Sequence, residues 1–217
     1  MYTREQIQGI TRNGQLVAPA GARAPRSADV LATTDGSRLF MFESGGLVQR
    51  TTDGRRIRAV PVSDIVDAVA TRDRLVVSTG DGRVHTLDSN TLRDEGDLTP
   101  TGVVMTYLTA SLDGSRIALL GADQTIRIAD PTSRTFFGNP IGADPNDVVD
   151  HADFSAGDVL NGDGTQLAIG SGRGIVVLDL APARLTTAAC RIAGRNLTQA
   201  EWNRYVGSQS SYTTLCS

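Results

Sequence analysis

Hydrophobic and polar residues alternate along much of this chain in short runs, and turn-forming residues separate the runs. The clearest example is Ser111 to Asp130, where Asp113-Gly114 and Asp123-Gln124 mark two turns. Between these turns, Ile117 to Leu120 is an apolar strand, and Thr125 to Ala129 then alternates with a period of two. The pattern predicts a strand, a turn, a strand, a turn and a strand.

This unit occurs four times, which predicts an all-β repeat fold. The strand-opening residues are 36, 42 and 50 positions apart, and they are Leu39, Leu75, Ile117 and Leu167. The aspartates that close the third strand are 35, 42 and 49 positions apart, and we interpret them as structural turn residues: Asp53, Asp88, Asp130 and Asp179. Both series lengthen together, so the units are aligned and their loops differ in length. A period of roughly 40–45 residues with four short strands is typical of β-propeller blades.

We predict a partial β-propeller over residues 1–183. An isolated outer strand over residues 7–19 comes first, because Asn13-Gly14 is a turn signal and Pro19 ends the strand. Four blades follow, over residues 28–62, 66–102, 104–142 and 148–183. We expect an open part of a larger ring. The alternative is a closed four-bladed ring, in which the outer strand completes the last blade.

Residues 184–217 lose the period of two, and they predict a short α-helical tail. Arg184 to Ala193 favours a first helix. Thr198-Gln-Ala-Glu201 is a capping box for a second helix, with Leu197 and Trp202 as its hydrophobic staple. We interpret Trp202, the single tryptophan, as the anchor that packs this tail on the propeller.

Two cysteines, Cys190 and Cys216, lie 26 residues apart and enclose both predicted helices. A disulfide that closes a loop of that size would contribute roughly 3 kcal/mol. The sequence does not decide between a disulfide and two free thiols. We predict a cytoplasmic protein. If the two cysteines are bonded, we predict an extracytoplasmic one, because disulfides persist mainly outside the cytoplasm.

Composition excludes several classes of function. The formal net charge of −3 and the pI near 5.4 argue against a nucleic-acid surface, which needs clustered positive charge. All 21 basic residues are arginine. A P-loop lysine, a Schiff-base lysine and a Ser-Lys dyad are therefore excluded. The longest apolar run has about six residues, so we predict no membrane segment within this chain.

One loop concentrates residues that could bind a metal ion. Asp144, Asp147, Asp150 and Asp153 lie around His151, and a histidine among carboxylates is able to coordinate a cation. We favour a solvated loop between units, with no metal and no cofactor. The alternative is a metal site at Asp150, His151 and Asp153.

The four units resemble degenerate WD repeats. Phe154-Ser155 with Asp163-Gly164, like Ser111 to Gly114, is similar to the F-S-P-D-G of that family. Leu87-Asp88, Ala129-Asp130 and Leu178-Asp179 stand where the family has Trp-Asp, although the tryptophan is lost in all four units.

The tail resembles the C-terminal extension of bacterial WD-repeat proteins, on the stretch from Cys190 to Trp202 together with Tyr212 and Cys216. In that group the propeller is often fused to STAND-type NTPases, transcriptional regulators or serine/threonine kinases. The resemblance implies a non-enzymatic platform for protein interaction or sensing in a bacterial signalling protein. Its partner would be another protein or a regulatory domain of the same polypeptide. The rival interpretation is a propeller-type enzyme with a metal site at the acidic loop 144–153.

Overall fold

The structure, a computed structural model, is mostly β, and its strands pair in an antiparallel manner. It describes residues 9–10, 16–17, 30–33, 35–43, 46–98, 102–142, 159–171, 174–205 and 211–216. These residues form a two-stranded hairpin, three four-stranded sheets, a three-stranded sheet and two short helices. The predicted β-rich repeat is confirmed.

The four larger sheets follow one another along the chain and are numbered in that order. Sheet 1 contains β3 (Val30–Ala32), β4 (Leu39–Glu43), β5 (Gly46–Arg50) and β6 (Arg56–Val60). Sheet 2 contains β7 (Ile65–Ala70), β8 (Arg74–Thr79), β9 (Val84–Asp88) and β10 (Asp94–Asp97). Sheet 3 contains β11 (Met105–Ala110), β12 (Ile117–Gly121), β13 (Ile126–Asp130) and β14 (Thr135–Phe136). Sheet 4 contains β15 (Val159–Leu160), β16 (Gln166–Ser171) and β17 (Gly174–Asp179).

Before these sheets, β1 (Gly9–Ile10) pairs with β2 (Leu16–Val17), within the segment predicted to be one outer strand. After them come two helices, α1 (Pro182–Ala193) and α2 (Gln199–Tyr205). Proline at the first position of α1 favours this start, because a helix needs no N–H donor there. Gly194 ends α1 in the left-handed conformation, with a φ of 67°.

Successive sheets pack face to face through separate apolar clusters. In each sheet, we call the side toward the following sheet the forward face and the opposite side the back face. The forward face of sheet 1 carries Phe40 and Leu47. These side chains pack with Leu75, Val77 and Leu87 on the back face of sheet 2. Similar clusters join sheet 2 to sheet 3 and sheet 3 to sheet 4, so the sheets form a row in which neighbours stabilise one another.

Polar contacts between the sheets repeat as well. Arg38, Arg74 and Arg116 occupy equivalent positions at the start of a second strand, opposite the end of the third. Each guanidinium donates a hydrogen bond to the following sheet, a contact that we call the arginine clasp. The acceptors are the Arg72 carbonyl (3.4 Å), Thr132 Oγ1 (3.2 Å) and the Gly164 and Leu180 carbonyls (3.1 and 2.9 Å), in that order.

Four turns share one sequence, in which a threonine or serine precedes an aspartate by two positions and a glycine follows. In each turn the hydroxyl donates to the aspartate, and the glycine N–H donates to the carbonyl of the hydroxyl residue. The hydrogen bond from the hydroxyl is the main reason that the pKa of each aspartate lies below its ordinary value. The glycines adopt a left-handed φ, which side chains disfavour. These turns are Thr33–Gly36, Thr51–Gly54, Thr79–Gly82 and Ser111–Gly114.

The aspartates predicted to close the third strands do not all occupy equivalent positions. Three of them end a third strand and accept a hydrogen bond from the backbone N–H two residues later: Asp88, Asp130 and Asp179. In sheet 1 the pairing sets Leu39 opposite Arg50, so the equivalent position is Thr51. The equivalence predicted for Asp53 is therefore wrong, because this aspartate belongs to the following turn of the shared sequence.

Removing one hydroxyl tests how much these turns stabilise the fold. Ser111 is buried, and its Oγ donates to Asp113 (2.7 Å) and accepts from the Arg116 N–H (3.1 Å). We expect Ser111→Ala to lower the free energy of unfolding by about 1–2 kcal/mol, because two hydrogen bonds are lost. Leu112→Ala in the same turn should change it by less than about 0.5 kcal/mol, because that side chain is exposed. Urea unfolding measures both variants, and equal effects would contradict the role of the hydroxyl.

Candidate functional site

The forward face of sheet 4 differs from the forward faces of the other three sheets. Strand pairing fixes which positions on the third strands are equivalent. On β17, Ile175 is 77% exposed and Val177 is 58% exposed. Their equivalents in sheets 1–3 are at most 5% exposed: Leu47, Val84 and Ile126 for Ile175, and Gln49, Thr86 and Ile128 for Val177.

The middle of this surface is entirely apolar. Ala168 of β16 pairs with Val177, and together with Ile175 these residues define what we call the bare face. A charged group stands at its end, where Asp179 lies 3.1 Å from the guanidinium of Arg184. Their opposite charges offset each other. The bare face is thus suited to burying apolar surface against another protein, and it presents no nucleophile or general base.

The edge of sheet 4 is incomplete in the same region. In sheets 1–3 a fourth strand pairs with the third, whereas β17 is the last strand of sheet 4 within the described ranges. An unpaired edge strand presents backbone N–H and C=O groups that are able to pair with another strand. The bare face and the β17 edge therefore lie together at one end of the row.

A matched pair of substitutions tests the exposure of this surface. Ile126 and Ile175 are equivalent isoleucines, one buried between sheets 3 and 4 and one on the bare face. We expect Ile126→Ala to lower the free energy of unfolding by about 2–5 kcal/mol, because it leaves a cavity in a packed interface. Ile175→Ala should cost less than about 0.5 kcal/mol. Similar losses for the two variants in urea unfolding would show that the bare face is covered.

The tail contains a second apolar surface, a cavity of about 390 Å³. Trp202 lines it together with Leu185, Leu197 and Leu215. The Trp202 side chain is buried, and its ring meets that of Tyr212 edge to face at 5.7 Å. These contacts lie within the tail, and α1 has no buried residue. The docking of the tail on the sheets through Trp202 stays a prediction.

The capping box predicted at the start of α2 is confirmed. Thr198 Oγ1 accepts the Glu201 N–H at 3.2 Å, and Glu201 Oε2 accepts the Thr198 N–H at 2.8 Å. Arg195 donates two further hydrogen bonds to the same carboxylate, at 2.6 and 2.7 Å. These bonds lower the pKa of Glu201 to about 2, chiefly through Arg195. The stabilisation is complete above the ordinary pKa of a glutamate and is lost as the pH falls toward 2.

The C-terminal segment is held to the start of α2 by one side chain and one covalent bond. Asn196 Oδ1 accepts the backbone N–H groups of Leu215 (2.8 Å) and Cys216 (2.6 Å). Asn196 Nδ2, the atom that a glycan would modify in the sequon ending at Thr198, donates to the Cys216 carbonyl at 2.6 Å. Cys190 and Cys216 form a disulfide with an S–S distance of 2.03 Å. The cysteine pair that the sequence leaves open is thus bonded in the structure.

Reduction of the disulfide should loosen the tail without unfolding the sheets. Trp202 is the single tryptophan of the chain, so its fluorescence reports on the tail alone. We expect a phosphine reductant to shift its emission to longer wavelength, because the bond contributes roughly 3 kcal/mol to a loop of this size. The far-ultraviolet β signal should stay unchanged. An unchanged emission maximum, or loss of both signals together, would contradict an independently stabilised tail.

Sequence reasoning missed one group of titratable side chains, on sheet 2. His85 Nδ1 lies 2.9 Å from Asp97 Oδ1 and 4.0 Å from Asp94 Oδ2. The first distance is a close contact without a well-directed hydrogen bond, since Asp97 Oδ1 accepts none. Arg83 already neutralises Asp97, with its Nη2 at 2.6 Å from Oδ2. This is the one triad with metal-binding spacing in the part of the chain that the structure describes, and we assign it no ion.

The acidic loop proposed as the alternative metal site lies outside the described residues. This applies to all five of its members: Asp144, Asp147, Asp150, His151 and Asp153. No observation on the described sheets favours that site.

Comparisons with known proteins leave the family open. No family model matches this sequence, and no curated protein matches it. Within the described ranges, no helix has the length and apolar character needed to cross a membrane. The functional interpretation therefore depends on the geometry of the sheets and the tail.

Proposed function

We propose that the four sheets are WD-like blades of a β-propeller, arranged as an open arc, and that the chain is a non-catalytic platform for protein interaction or sensing in a bacterial signalling protein. The single observation that carries the proposal is the bare face. Two large aliphatic residues are exposed there, at positions that the other three sheets bury. Exposed apolar surface of this kind marks interaction sites in soluble proteins.

The blade interpretation is supported by how the sheets are arranged. Each successive sheet places its first strand next to the first strand of the preceding one, through the pairs β3 with β7, β7 with β11 and β11 with β15. The order of strands within each sheet follows the chain without crossovers. Radial repetition of four-stranded antiparallel sheets is how propellers protect their edges. The exposure of Ile175 and Val177 supports an open arc over a closed four-bladed ring.

The chemistry of the partner follows from the surface. The bare face has no charged side chain at its centre, and the chain has a formal net charge of −3, so the partner is a protein with apolar residues rather than a nucleic acid. That partner is a separate protein or a regulatory domain of the same polypeptide. The Cys190–Cys216 disulfide favours an extracytoplasmic site of action, because reducing compartments disfavour such bonds.

A photoreactive residue tests whether the bare face binds protein. Ile175→benzoylphenylalanine should give a protein adduct on illumination in an extract of the source cells, and an excess of the unmodified chain should suppress it. The same substitution at Leu112, an exposed apolar residue in a turn, is the matched control and should give no adduct. Competition by a Val177→Asp chain should fail. An equal yield at both positions, or no adduct at Ile175, would overturn the proposed function.

A further inference from the structure

We infer that the bare face is the seat of one more antiparallel β-sheet of the same repeat, supplied from outside the four described sheets. This inference rests on the proposed function and names the partner of that surface. Its basis is internal to the molecule, because the same face occurs three more times in the row. In all three cases the structure shows what covers it.

Each covered forward face receives the back face of an antiparallel sheet. The side chains that cover it are aliphatic and come from alternating positions on the second strand and one position on the third. They are Leu75, Val77 and Leu87 in sheet 2, Ile117, Leu119 and Ala129 in sheet 3, and Leu167, Ile169 and Leu178 in sheet 4. The bare face keeps the matching residues, Ile175 and Val177. The occupant with the right shape is thus a sheet that presents this aliphatic pattern.

The back face of sheet 1 does not provide this occupant. Its residues Met41 and Val48 are already buried, at 1% and 3% exposure. Beside them Arg50 stands where sheets 2 to 4 have Leu87, Ala129 and Leu178, and it forms an ion pair with Glu43 at 2.6 Å. Head-to-tail stacking of a second copy through sheet 1 would have to uncover these groups. The occupant is therefore a repeat sheet with a free aliphatic back face.

The polar part of the interface differs from the three internal ones. The position of the arginine clasp is occupied in sheet 4 by Gln166, which stands opposite Asp179. Glutamine is able to donate and accept hydrogen bonds, but it carries no charge. Hydrogen bonds that involve a charged group are stronger than neutral ones. We therefore expect this sheet to dissociate more readily than the internal interfaces.

Photocrosslinking from two positions, followed by mass spectrometry of the adduct, identifies the occupant. Benzoylphenylalanine at position 175 or 177 should label one partner protein, on a β-strand with aliphatic residues at alternating positions. The same probe at Leu120, which is half-buried between sheets 3 and 4, is the positive control, because it should label sheet 4 within the chain.

Gln166→Arg should lower the chain concentration for half-maximal adduct by about tenfold, since it restores the clasp. Gln166→Ala should leave that concentration unchanged within about twofold.

Several outcomes would overturn the inference. An adduct on a helix or an extended peptide would agree with the proposed function, but it would show that the partner is not a β-sheet. An adduct of twice the chain mass of 22.9 kDa would identify a second copy instead. If Gln166→Arg leaves the chain concentration for half-maximal adduct unchanged, the partner does not pack on the bare face as sheets 2 to 4 pack on the sheets before them. The absence of any adduct at both positions would overturn the inference and the proposed function together.

Discussion

The packing of one sheet's forward face on the back face of the next is the contact on which the fold depends. A four-stranded sheet with aliphatic residues on both sides is not stable alone, because both faces must leave water. Phe40 and Leu47 are buried because sheet 2 follows them, and Ile126 and Ile128 are buried because sheet 4 follows them. At sheet 4, no described part of the chain covers the forward face, and Ile175 and Val177 stay exposed. The most informative surface of the protein is therefore the end of its row.

The polar contacts fix how the sheets are placed relative to one another. Arginine clasps at Arg38, Arg74 and Arg116 bridge successive sheets near one end of the strands. Two further polar contacts add to them. The buried Gln49 Nε2 donates to the Ser89 carbonyl at 3.0 Å, and Oδ2 of the half-buried Asp67 accepts the Leu108 N–H at 2.6 Å. Buried polar groups need such partners, so each one specifies a single arrangement. Gln166, which replaces the clasp arginine, belongs to the one sheet of the four that no other described sheet follows.

Much of this architecture follows from the sequence, and the parts that do not have physical reasons. The four units and their order follow from strand-opening residues such as Leu75 and Ile117, because period two and turn signals are local properties. Asp53 shows one limit, because an aspartate that ends a strand and one inside a turn look alike in the sequence until the strand pairing is known. The bare face was not predictable. Ile175 and Val177 have the same aliphatic character as Ile126 and Ile128, and burial depends on what the chain places against them.

In the tail, too, local features are predictable from the sequence and long-range contacts are not. Its capping box was readable because Thr198 and Glu201 act over one turn of helix. The role of Asn196, which holds the C-terminal segment, was not readable, because its partners at Leu215 and Cys216 are distant in sequence. The cavity beside Trp202 arises from those long-range contacts. Propeller closure, the WD resemblance and the metal alternative at Asp150, His151 and Asp153 stay predictions.

Thiol accessibility tests the central claim most directly, because both native cysteines are bonded and an introduced cysteine is the single free thiol. Val177→Cys and Ile128→Cys place that thiol at equivalent positions, one on the bare face and one between sheets 3 and 4. The measurement is the rate of maleimide labelling of each folded protein, relative to the same protein in denaturant. We expect the thiol at position 177 to react nearly as fast as in the unfolded chain, and the thiol at position 128 to be protected by at least about a hundredfold, since it reacts only after the interface opens. Equal protection at both positions would contradict the account, because it would mean that the forward face of sheet 4 is already covered.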